Sequence, residues 1–350
     1  MPAVVLDWLK TSAWYKLVET YLIMAQTAIP RAEPGFSLAL FVIASFLMIW
    51  RLGALERKGL EGTVLGTVIM PYASGFSNLM FAFILGRTSG DGAQVLENCL
   101  VNNVTNLTLL IGFPALVWSL TVFPEKQKPG VGRIASRAHR LNQLSLLLTL
   151  LAAFFFTGVL WALARDAAID FSDGLVLVGL FVFWQIFQVF DVLKQNVYRA
   201  RSLHWSLLWD VILVICGGIG VFQAIERLVT WIPRTGPGLL VFSNIGWLSG
   251  LLMVLPNALL AFYYAWGKRA DIVYSSQVGD GHICIPMCIG LYALFGQIRI
   301  PAYFNLGVLI ILVACLIHFF FISIFGRLPR LIGLILSLAY AYFVYKGLLG

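Results

Sequence analysis

The chain has 350 residues, of which 60% are hydrophobic and only 11% charged, with a net charge of +8. An average soluble domain has roughly 45–50% apolar and about 25% charged residues, so no soluble core hides this much apolar surface and the excess faces lipid. Five scattered cysteines do not make a disulfide framework, and basic residues spread between apolar runs orient a membrane protein rather than form a nucleic-acid patch.

Met1–Gly35 is interrupted by Asp7, Lys10, Lys16 and Glu19 and lacks the basic start and short apolar core of a cleaved signal. It reads as an interfacial amphipathic helix. Ten apolar runs follow, each near the about 20 residues that cross a core of about 30 Å. They are Phe36–Leu52, Gly62–Leu85, Val95–Phe123, Leu144–Ala164 and Gly174–Leu193, then Leu207–Trp231, Leu239–Trp266, Ile272–Phe295, Tyr303–Ile324 and Leu331–Leu348. The longest connection, Pro124–Asn142, carries Lys126, Lys128, Arg133, Arg137 and Arg140. Connections after odd-numbered spans hold 15 Lys and Arg and the remaining segments hold 9. The positive side is normally cytoplasmic, so both termini are expected outside. No connection has room for a soluble domain, and function resides in or near the membrane.

The chain repeats itself. Ser77–Phe83 lies beside Pro256–Phe262 at a shift of 179, and Gly112, Ala115 and Leu116 beside Gly290, Ala293 and Leu294 at a shift of 178. Spans four and five match nine and ten at a shift near 157. Five spans per half is odd, so the second half enters from the opposite side. The expected fold is an all-α integral membrane protein of about ten transmembrane helices in two inverted five-helix repeats. Its parts are an N-terminal segment 1–35, a first repeat 36–193, a central connection 194–206 and a second repeat 207–350. Secondary transporters use this plan, with the site between the repeats near the midplane.

Buried polar groups are costly in lipid, and here they concentrate. The first half has Ser74, Ser77 and Asn78 in span two, then Asn98, Asn102, Asn103, Thr105, Asn106 and Thr108 in span three. The second half has Asn257 in span seven and Ser275, Ser276, Gln277, Asp280 and His282 in span eight. Asn98, Asn102 and Asn106 share one helical stripe. Such a column of oxygens suits a partly dehydrated cation; interhelical glue explains one or two asparagines but less well their concentration in matching helix pairs. Pro71, Gly75, Pro256, Gly279 and Pro286 can break the helices beside these groups. Asp280 and His282 are a candidate proton-coupling pair, given unwinding at Gly279 and Gly281; the alternative is Asp280 as a cap at a helix break. Glu97 could attract cations at the entrance of span three. Asp191 and Asp210 flank the central connection, where charge is cheap. Cys284 and Cys288, one turn apart, read as packing rather than metal ligation.

At these residues the chain resembles the cation/calcium exchanger superfamily, the membrane region of sodium/calcium exchangers. Each family repeat has a helix with G-T-S-x-P-E and, some way on, a helix with G-N-x-x-G-S-N-x-x-N. Pro256-Asn257 is similar to the P-E pair, Asp271 to an aspartate between the motifs, and Gly279 to the glycine of G-S-N. In the first half Ser74 and Asn78 stand for the threonine and glutamate. Asn98, Asn103 and Asn106 stand, with one inserted residue, for the three asparagines. The chain departs from the family where ions bind: Asn78 and Asn257 replace both glutamates, and Ser276, Gly281 and Cys284 replace asparagines. It is a divergent member lacking the motif glutamates.

The resemblance implies a secondary cation antiporter working by alternating access, with spans one and six as moving elements. Losing two carboxylates disfavours tight calcium binding and favours a monovalent or proton-coupled exchange. Ser74, Asn78, Asn98, Asn102, Asn103, Asn106, Asn257, Ser276 and Asp280 are the expected ion ligands, with Asp280 and His282 for protons. No enzyme activity and no cofactor are expected, the cations (sodium, calcium or protons) being cargo. The partners are the lipid bilayer and small inorganic cations, without nucleic acid, and the location a multi-pass, prokaryotic inner (plasma) membrane. The rivals are a non-transporting or channel-like relative and an intramembrane enzyme, the latter lacking H-E-x-x-H and G-x-S-x-G elements.

Overall fold

The computed structural model describes residues 34–55, 75–88, 90–122, 133–196, 205–231 and 244–349. The helices are α1 (Pro34–Leu55), α2 (Phe76–Arg87), α3 (Gly92–Val104) and α4 (Leu110–Trp118), the last two joined by a π turn, Thr105–Leu109. Then come α5 (Arg133–Leu163), α6 (Phe171–Asn196), α7 (Trp205–Trp231), α8 (Ile245–Trp266) and α9 (Ala270–His282). A second irregular segment, Ile283–Cys288, leads to α10 (Ile289–Ala293), followed by α11 (Phe304–Phe325) and α12 (Arg330–Val344). Among the described residues, 8 helices are long and apolar enough to cross a membrane. The segments α2 and α9–α10 complete the ten expected spans. Large apolar side chains such as Phe183, Trp209, Leu331 and Leu338 point outward, as a lipid-facing surface requires.

One boundary differs from expectation. Helix α5 begins at Arg133, inside the stretch Pro124–Asn142 expected as a connection. Arg, Ala, Leu and Gln after Gly132 are good helix formers, so the charges there end the apolar run without ending the helix. The membrane-crossing part, Gln143–Asp166, matches the expected span. The interfacial helix expected over Met1–Gly35 lies outside the described residues, apart from Pro34 and Gly35 in α1.

Helix pairing displays the repeat. Helix α1 packs along α7, and α5 along α11, each pair being one span and its mate. The remaining contacts come as twins: α3 on α8 and α2 on the Ile283–Ala293 stretch; α4 on α12 and α10 on α6. Gly112 and Gly290 serve the last two crossings. A Cβ at Gly112 would lie 2.9 Å from the Gly333 carbonyl, and one at Gly290 3.0 Å from Leu177 Cβ, so each glycine sets a close helix approach. Even the short extended pieces are twinned. Ala168 and Ile169 (β1) pair antiparallel with Arg299 and Ile298 (β2), and Thr121 bridges to Arg327.

Candidate ion site at the crossing of the broken helices

Both polar helices lose regularity at matching places. In the first half the π turn, Thr105–Leu109, widens the helix by one residue per turn, a deformation common at functional sites. In the second half Ile285 leaves the helix altogether (φ −122°, ψ 113°) just before Pro286, whose ring and missing N–H oppose a continuous helix. The other candidate breakers act differently. Pro256 and Gly279 sit inside the unbroken helices α8 and α9 and do not interrupt them. Gly75 precedes α2 as its N-cap, and Pro71 lies outside the described residues. The Leu107 carbonyl, inside the π turn, accepts from His318 Nε2 at 2.7 Å, and the Tyr274 hydroxyl meets His318 Nδ1 at 3.1 Å.

Between these breaks the polar side chains of the two halves meet. Asp280, only 1% exposed, accepts at Oδ2 from Asn106 Nδ2 and from Asn257 Nδ2, both at 3.1 Å. Asn106 Nδ2 also donates to Asn102 Oδ1 at 2.7 Å. Asn103 Nδ2 donates to the Gly281 carbonyl at 3.2 Å. Positions 103 and 281 are repeat mates at the shift of 178, so this bond lies across the pseudo-twofold axis and places the cluster on it. Asn98 donates to Ser249 Oγ at 3.0 Å and to Met253 Sδ at 3.4 Å, tying α3 to α8. Asn78, mate of Asn257, is buried on α2.

The balance of donors and acceptors is uneven. The amide oxygens of Asn78, Asn98, Asn103 and Asn106 are buried without a hydrogen-bond donor. Each such group ordinarily costs about 1–3 kcal/mol, and buried polar atoms are nearly always satisfied in finished structural networks. Neutral oxygens around one carboxylate are instead what a dehydrated cation coordinates. A cation held there would take Asp280 and a selection of these amide oxygens as ligands.

Not every expected ligand joins. Ser74 lies outside the described residues. Ser276 is exposed on α9, its hydroxyl turned back to the Val273 carbonyl at 3.1 Å, and stays out of the cluster. His282 is buried but turned away from Asp280. Its Nε2 meets the Thr149 carbonyl at 3.1 Å, and its ring packs edge-on to Trp184 and Phe156 with centroids 5.4 and 5.7 Å apart. The helix α9 stays regular through His282, and residues two apart on a helix do not face each other; the expected Asp280–His282 pairing is not formed. Asp210, expected at a cheap boundary, is buried and paired with Arg51 at 3.3 Å, joining α7 to α1. Arg87 and Glu226, 3.1 Å apart, join α2 to α7. Asp191 has no described side chain.

One participant escaped the sequence reading. Ser249 on α8 gave no signal beyond being a lone serine in an apolar helix. Cys284, read from the sequence as packing, is the mate of Asn106 at the shift of 178, and its thiol lies within hydrogen-bonding reach of Cys99 and Cys288. All three are free and buried, in keeping with packing, and no His, Cys, Asp or Glu group among the described residues could hold a metal ion.

Comparison with known proteins agrees with this architecture. Residues 35–190 match the family model "Sodium/calcium exchanger protein". Solved structures of the sodium-calcium exchanger NCX_Mj match along almost the whole chain. The form soaked with 2.5 mM Na+ and 10 mM Sr2+ has a TM-score of 0.59 and 15% identity, covering 88% of this chain and 95% of that one. The form soaked with 100 mM Na+ and 10 mM Sr2+ gives 0.59 and 16%, covering 89% and 96%. The form soaked with zero Na+ and Ca2+ gives 0.56 and 15%, covering 89% and 96%. No curated protein matches by sequence.

Proposed function

From the match of residues 35–190 to the sodium/calcium exchanger family model and the shared fold, we propose that the chain is a multi-pass membrane cation transporter that exchanges monovalent cations or protons by alternating access. The observation that carries this reading is Asp280: one buried carboxylate on the pseudo-twofold axis, held by asparagines of both halves. Divalent affinity rises with the number of charged ligands, and asparagine occupies both positions that are glutamates in the family resemblance. One negative charge with neutral amide oxygens balances one monovalent ion. Asn78, Asn102, Asn103, Asn106 and Asn257 supply the neutral ligands in this reading, and any proton carried sits on Asp280 rather than His282. The charge bias of the connections favours both termini outside, in a prokaryotic plasma membrane.

Ion flux in proteoliposomes tests the proposal, comparing sodium, potassium, calcium and proton gradients for wild type and Asp280→Asn. Counter-flux of two monovalent ions, or of one against protons, lost in Asp280→Asn, is the expected result. Calcium exchange of equal rate in both forms overturns it. A second reading, a relative that binds ions without exchanging them, draws on the two amide donors already on Asp280. Ion-dependent thermal stabilisation without any counter-flux is its signature.

A further inference from the structure

Glu97 precedes the first asparagine of the column on α3 and takes no part in the cluster around Asp280. Its side chain lies where α3 crosses α8. A Cβ added at Gly246 would come 2.5 Å from Glu97 Oε2, so it is a glycine that lets α8 approach the carboxylate. One turn along α8, Ser249 holds the Asn98 amide while its own hydroxyl donates to the Gly246 carbonyl at 3.0 Å. Tyr303 stands beside the carboxylate, with the Trp247 ring 5.2 Å from the Tyr303 ring. Within this niche Asn98 Oδ1 is a buried acceptor without a donor, Tyr303 is a hydrogen-bond partner of the Glu97 carboxylate, and Asn98 as a whole is 0% exposed.

The niche is separate from the central cluster. At a rise of about 1.5 Å per residue, Glu97 stands about 13 Å along the axis from Asn106. Between them run Asn98 and Asn102, a ladder of amides from the N-terminal end of α3 to Asp280. It is also one-sided. The repeat mate of Glu97 is Ser275, exposed on α9, whose hydroxyl returns to the Ile272 carbonyl at 3.2 Å. Among the described residues, these two repeat-related positions therefore differ by one carboxylate.

We infer that Glu97 and Asn98 Oδ1 form a second cation subsite, at the mouth beside the start of α3, which loads the central site from that side alone. This rests on the reading of the chain as a cation transporter, and two readouts keep the inferences apart. The first is equilibrium binding of radiolabelled sodium and rubidium to the purified full chain. Wild type is expected to bind two ions per chain, and Glu97→Gln and Asp280→Asn one each. The second is flux from each side of oriented proteoliposomes. Glu97→Gln raises the half-saturating concentration about tenfold, the effect of about 1.4 kcal/mol, on the α3 side only. Ser275→Glu, at an exposed position, installs the missing carboxylate and lowers half-saturation from the other side.

A Glu97→Gln protein that binds as many ions as wild type overturns the subsite, as does an equal shift on both faces or an inert Ser275→Glu. If Asp280→Asn keeps full exchange, the central reading fails, while the ion count of Glu97→Gln still decides the subsite. Should Glu97→Gln not fold, the Ser275→Glu shift alone decides it.

Discussion

In the first half, α3 passes its irregular stretch as a π turn and carries amides at positions 98, 102, 103 and 106; in the second, α9 stays regular, the chain breaks at Ile285, and the mated positions hold Ser276, Asp280, Gly281 and Cys284. The twin crossings of glycine against helix, and the twin extended pairs, show that packing is duplicated almost position by position. Charge is not. Among the described residues, the carboxylate of the central cluster, Asp280, sits in the second half and Glu97, at the start of α3, in the first. A repeat thus duplicates backbone shape, which packing constrains, while single side chains in the polar interior are free to diverge and set what is carried.

The sharpest way to break the comparison is to move the carboxylate across the axis. Asp280→Asn alone is expected to weaken cation binding about a hundredfold or more, the scale of removing one partner from a buried charge pair. Adding Asn102→Asp, at the mated position, is expected to restore part of the counter-flux. No recovery in the double variant means that the halves are not interchangeable at the site. A smaller effect comes from His318→Ala, which leaves the Leu107 carbonyl and the Tyr274 hydroxyl without their partner. Thermal unfolding in detergent should report a loss of about 2 kcal/mol or more. Below that, Asn98→Ala removes one unpaired acceptor and the bond to Ser249, and should raise the half-saturating cation concentration about fivefold. Smallest is Ser276→Ala, where flux and stability should stay within about 0.5 kcal/mol of wild type, as for exposed positions without special contacts. A large effect there would return Ser276 to the site.

Much of this was legible beforehand because lipid leaves few solutions. Apolar length located the spans, as at Gln143–Asp166, and the shifts of 178 and 179 identified mates that the helix crossings bear out. Helix ends were less legible: the charged start of α5 looked like a loop, since hydropathy reports the membrane boundary and not the last hydrogen bond. The stripe of Asn98, Asn102 and Asn106 was readable from helical period alone. The direction of His282 was not. It depended on whether Gly279 and Gly281 unwind α9, and tertiary packing around Trp184 and Phe156 kept the helix intact. Asp210 was misjudged because its partner, Arg51, is far away in sequence.

His282 and His318, both buried, have a mechanical meaning. His282 on α9 grips a carbonyl of α5, and His318 on α11 grips a carbonyl in the π turn of the third span. Each fastening joins one half of the molecule to the other, and both lie in the stretch that holds the polar cluster. Spans three, four, eight and nine are thereby stapled into one frame, so the frame shifts as a unit or stays still. The α1–α7 pair, bound to itself along its length and through Arg51 and Asp210, is outside both staples, so under the exchange proposed above it is the pair that would move against this frame.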